Sequence, residues 1–154
     1  MTSELKTFNW RRILGLVGAV LLIIGAWPIS YLASPRWEVW VLTVDGLPLP
    51  QTNVRLVYQN YSAESKTHEV TLKTDEDGHI VFPQQYEKAS ILQRVFYAMV
   101  SATAGVHASF GRHAHVFASG GGYEGSAVTG GYLTDWRGSP DSMQSRIVAK
   151  PVGM

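Results

Sequence analysis

Hydrophobic and polar positions fall into three patterns along this chain. The first is an apolar run without a charged residue over 13–32. As a helix it would span roughly 30 Å, the thickness of a bilayer's hydrocarbon core. The second is alternation, which predicts strands. It runs over 37–45 (WEVWVLTVD), 53–58 (NVRLVY), 69–73 and 79–82. Between the last two, Asp75-Glu76-Asp77-Gly78 reads as a tight turn, so these strands are expected to pair as a hairpin. The third is a period of three to four over 87–103, where Ile91, Leu92, Val95, Phe96, Met99 and Val100 recur. It predicts a short amphipathic helix. Its apolar face is expected to cover an edge of the strands, with contact to a membrane or another subunit as the alternative. Alternation returns at 113–117 and again at 146–152. Between them, 120–142 is a stretch rich in Gly, Ser and Thr that carries Tyr123, Tyr132 and Trp136.

The residues flanking the apolar run make it an expected transmembrane helix. Trp10, Arg11 and Arg12 precede it, and Tyr31, Arg36 and Trp37 lie at or just after its end. Aromatic and cationic residues of this kind anchor helices at the two membrane interfaces. Lys6, Arg11 and Arg12 outweigh Arg36, so the positive-inside bias puts 1–12 in the cytoplasm and 37–154 across a bacterial inner membrane, in the periplasm. A cleaved signal peptide needs small residues at positions −3 and −1. Ala33 is preceded at that spacing by Tyr31, and Ser34 by Leu32, which favours an uncleaved anchor. Gly15, Gly18 and Gly25 would let a second membrane helix approach closely, making them candidate partner contacts.

Composition narrows the rest. From Glu38 onward nine Lys and Arg face eleven Asp and Glu, which argues against a nucleic-acid surface. There is no cysteine, so disulfides, thiolate metal sites and a cysteine nucleophile are excluded. About 120 residues suffice for one domain with its own core.

Two blocks carry a resemblance. Val44-Asp45-Gly46-Leu47-Pro48-Leu49-Pro50 followed by Asn53-Val54-Arg55-Leu56, and then Leu72-Lys73-Thr74-Asp75-Glu76-Asp77-Gly78-His79-Ile80-Val81-Phe82-Pro83, resemble the transthyretin-like, or carboxypeptidase-regulatory-like, β-sandwich family. The resemblance implies a mainly β fold, one Ig-like sandwich with a short helix, which would stand behind the single N-terminal transmembrane helix expected from the apolar run. It also implies a module for adhesion, folding support or protein contact.

Candidate chemistry is sparse. His113 and His115, two apart on a strand, would share one face, with His107 as a third ligand for Zn or Cu. The competing reading is a polar outer face with Ala114 and Val116 turned inward. A calcium loop counted from Asp75 would need Glu at its twelfth position and finds Tyr86. Gly125-Ser126 and Gly138-Ser139 lack the nucleophile elbow, and Gly120-Gly121-Gly122 lacks the lysine of a phosphate loop. Tyr123, Tyr132 and Trp136 offer rigid apolar surface for a partner. The expectation is a non-enzymatic accessory or structural subunit, without a cofactor, stabilising a larger inner-membrane complex. Its partners would be the lipid bilayer and other integral membrane subunits. The alternative is a tethered ligand-binding module for metal, glycan or peptide.

Overall fold

Pro28 divides the long apolar run. Proline has no N–H to donate and drives the residue before it out of the helical region, so a helix ends there. In the computed structural model, which describes residues 10–125 and 135–152, helix α1 covers Trp10–Ala26 and strand β1 follows over Ile29–Ser34. The expected transmembrane helix over 13–32 is thereby corrected: among the described residues no helix is long and apolar enough to cross a membrane. The 17 residues of α1 rise about 26 Å. The N-in, domain-out orientation depended on a crossing helix and loses it.

The chain continues through β2 (Arg36–Leu42), β3 (Asn53–Asn60), β4 (His68–Lys73), β5 (His79–Phe82), β6 (Gln85–Ala89) and helix α2 (Ile91–Ala102). After a 3-10 turn at Gly105–His107 come β7 (Arg112–Gly120), β8 (Tyr123–Gly125), β9 (Asp135–Trp136), β10 (Ser142–Val148) and β11 (Lys150–Pro151). One sheet has the order β10-β2-β5; a second has β11-β8-β7-β3-β4, with β9 also on β7. β1 and β6 form a separate antiparallel ribbon, and β10 runs parallel to β2. The fold is mainly β and sandwich-like, with two α-helices among the described residues.

Alternation does what it predicts inside this frame. Trp37, Val39 and Val41 of β2, Val54, Leu56 and Tyr58 of β3, and Ala114, Val116 and Ala118 of β7 point into one core. Trp37 was expected at a membrane interface; it is instead fully buried, and its indole N–H donates to Ser145 Oγ at 2.9 Å. A tryptophan at the start of a strand satisfies either role, provided its N–H finds a partner.

The turn at 75–78 forms, but its strands do not pair with each other. Asp75 Oδ1 accepts from the N–H groups of Asp77 (3.0 Å) and His79 (2.8 Å), and Gly78 takes φ +68°. β4 then pairs with β3 while β5 pairs with β2, so the turn is a corner between sheets. Buried Thr74 fixes it: its hydroxyl donates to Leu49 O at 2.6 Å and accepts from Thr52 N at 3.0 Å. Val41 N donates to Gly78 O at 2.8 Å, which ties the corner to β2.

Candidate functional site

Helix α2 presents the unexpected face. Ser90 caps it, its hydroxyl accepting from Gln93 N at 3.1 Å. The apolar residues Ile91, Leu92, Val95, Phe96, Met99 and Val100 are all exposed, while Arg94, Tyr97, Ala98 and Ser101 turn toward the strands. Polar bonds hold it there: Ser101 Oγ donates to Tyr61 O at 3.0 Å and Gln93 Nε2 to Ala63 O at 2.8 Å. The expectation that the apolar face covers the sandwich edge is reversed.

Helix α1 adds to that surface. Leu14, Leu16, Val17, Val20, Leu21, Leu22, Ile23 and Ile24 are each at least half exposed, and Gly25 is the one residue of the helix that is buried. A Cβ on Gly25 would sit 3.2 Å from Leu92 Cγ, so glycine lets α1 meet α2. Where the helices join, Ile23, Ile24, Trp27, Ile29 and Ile91 line an almost wholly apolar groove of about 250 Å³. A contiguous exposed apolar surface of this kind marks a protein or membrane contact.

A polar cluster lies on the other side, between the β1–β6 ribbon and β3. Tyr31 donates to Glu64 Oε1 at 3.1 Å; His68 Nε2 lies 2.7 Å from Glu64 Oε2, and its Nδ1 3.5 Å from Glu87. Tyr58 stacks on His68 with ring centroids 5.1 Å apart and reaches Glu87 at 3.5 Å. Burial, and then the charge of Glu64, pushes the Tyr31 phenol far above its ordinary range. Burial followed by Glu87 raises Tyr58 in the same direction. Both phenols are thereby kept neutral and able to donate to the two carboxylates.

No family model matches the chain, and no curated protein does. Among solved structures, a 3-chlorocatechol 1,2-dioxygenase from Rhodococcus opacus 1CP shares 13% identity, with a TM-score of 0.46 over 79% of this chain. This chain spans 62% of that dioxygenase chain.

The residues singled out from sequence scatter. His115 is exposed on β7 and stacks on Phe117, His113 bonds Phe110 O at 3.0 Å, and His107 sits in the 3-10 turn. Among the described residues no three His, Asp or Glu side chains are placed to hold a metal. Ala114 and Val116 do face the core. Trp136, expected at a partner surface, is buried, its N–H donating to Pro140 O at 2.6 Å. Tyr123 packs partly against the core, and Tyr132 lies outside the described residues.

The flanking residues divide. Trp10, Arg11 and Arg12 are exposed at the start of α1, and a Cβ on Gly15 or Gly18 would meet nothing within 4 Å. Tyr31 belongs to the polar cluster. Arg36 pairs with Glu38 at 2.7 Å, which holds that carboxyl below the usual range. Sequence reasoning missed Trp27, β6 and the direction of α2. The stripe Arg94, Tyr97, Ser101 at helical spacing was the available signal for the side that faces the domain.

Proposed function

We propose that this protein is a non-enzymatic accessory module that docks on lipid through α1 and α2 and holds its β domain beside a larger membrane complex. The observation that carries the reading is the outward apolar face of α2, continuous with α1. The six large apolar side chains of α2 are 44–65% exposed, so completing their burial is worth roughly 5–9 kcal/mol. That is comparable to the whole stability of an ordinary domain. A protein groove would cover one side of α1, whereas this helix is apolar on every side, which suits lipid. Trp10 and Trp27 mark its two ends, and Arg11 and Arg12 stand beside Trp10, where headgroups would be. In this reading α2 lies along one face of the bilayer with its polar side toward the domain, as interfacial helices do, and α1 sinks its apolar surface into the same face.

Flotation of the full chain with neutral phosphatidylcholine vesicles tests the docking. The protein is expected in the floated fraction; protein left in the dense fraction would contradict it. Purification in mild detergent followed by mass spectrometry tests the accessory role, for which stable co-purifying membrane subunits are expected. Recovery only as an isolated monomer would remove that part of the reading.

A further inference from the structure

Under α2, beside the polar cluster, lies a cleft of about 390 Å³ lined by Tyr31, Asn60, Ser62, Arg94, Gly111 and Arg112. Two arginines reach it from separate elements, Arg94 from the second turn of α2 and Arg112 from the first position of β7. Among the described residues neither forms an ion pair. Two cations therefore share a concave site whose lining includes no carboxylate.

Their donors are only partly used. Arg112 is held rigidly: its two terminal nitrogens donate to Leu32 O and Gly138 O, each at 3.0 Å, and its guanidinium lies 5.4 Å from the centroid of Trp136. A guanidinium has five N–H donors, so three remain. Arg94 lies 5.0 Å over the Tyr31 ring, and its Nε is buried without a hydrogen-bond partner. An unpaired buried donor is costly, and one on a charged group more so. Glu64 is engaged by Tyr31 and His68 and forms no ion pair with Arg94.

The floor is built and polar. Gly111 N donates to Ser62 Oγ at 2.9 Å, Ser62 N to Asn60 Oδ1 at 3.1 Å, and Tyr61 N to Gly111 O at 2.9 Å. The Ser62 oxygen is thus fixed in place, leaving its own O–H to turn into the cleft. Two planar cationic forks and a hydroxyl donor match the oxygens of a phosphate group better than a single carboxylate.

We propose that this cleft binds a phosphate oxyanion between Arg94 and Arg112. The phosphate could belong to a lipid headgroup or to a small phosphorylated solute. Arg94 stands on the side of α2 opposite its apolar face, about one helix diameter (~10 Å) from it. With that face in the acyl region, Arg94 would stand at headgroup depth. The site itself does not depend on the docking reading.

The test uses the full chain and its Arg94→Gln variant, the latter checked for an unchanged far-ultraviolet circular dichroism spectrum. Inorganic phosphate is titrated against chloride at matched ionic strength, read by thermal shift and by phosphorus-31 line broadening. Saturable stabilisation is expected in the parent and weakening by about tenfold or more in the variant. Flotation on phosphatidylcholine vesicles, with and without phosphatidic acid, separates the sources. A gain on phosphatidic acid that the variant loses assigns a headgroup; a response to inorganic phosphate without that gain assigns a solute. No saturable response in either assay, or equal responses from parent and variant, overturns the proposal. Failure to float on neutral vesicles would contradict lipid docking and leave the phosphate result standing.

Discussion

Gly78 shows how one residue can hold two sheets in register. Its φ of +68° is strained for any L side chain, and a Cβ there would lie 2.6 Å from Val41 O and 2.9 Å from Leu49 N. Both are backbone atoms of segments that cannot easily retreat. Gly78→Ala is therefore expected to lower unfolding stability by about 1–3 kcal/mol, measured by urea denaturation. An unchanged midpoint would mean that the corner relaxes freely. The buried phenols make a second residue-scale prediction. Tyr31 and Tyr58 titrate above the ordinary value near pH 10 in the folded state, so the unfolded chain ionises first. Stability from their neutral form is complete below about pH 10 and declines as pH rises beyond it. Tyr31→Phe should flatten that alkaline decline. An identical slope in the variant would remove Tyr31 from the account.

At the scale of elements, local signals were legible in the sequence and long-range ones were not. The turn at 75–78 was readable because Asp75 and Gly78 act on their own backbone. Whether its strands pair was not, because Thr74 settles that through Leu49 and Thr52, more than twenty residues away. The 13–32 run misled because composition shows no boundary inside it, while Pro28 imposes one and Ile29–Ser34 finds a partner in Gln85–Ala89. Period alone locates the two faces of α2 without saying which meets the domain. Its role is separable from the core. Phe96→Ser with Met99→Ser should leave unfolding stability in detergent-free buffer unchanged or higher, and reduce flotation on neutral vesicles several-fold. A large loss of stability would mean that the face packs on the chain itself.

For the whole molecule, the candidate site was less legible than the fold. Alternation over β2, β3 and β7 names much of the core, including residues such as Trp37 whose chemistry also suits an interface. The arginine cleft and the tyrosine–glutamate cluster join positions 31 to 112 through a β ribbon, a helix and two strands, so no sequence window contains either. What unifies the molecule is its polarity: an apolar pair of helices on one side, a packed β core on the other, and charged groups between them. The absence of cysteine allows that arrangement to be read one position at a time. A single spin label is placed by Met99→Cys on the outer face of α2, and another by Glu76→Cys at the exposed corner. Electron paramagnetic resonance on vesicle-bound protein then compares their access to oxygen and to a water-soluble relaxant. The account predicts that the label at position 99 is relaxed by oxygen and shielded from the aqueous agent, and that the label at position 76 shows the reverse. A label at position 99 as open to the aqueous agent as the one at 76 would contradict lipid docking through α2.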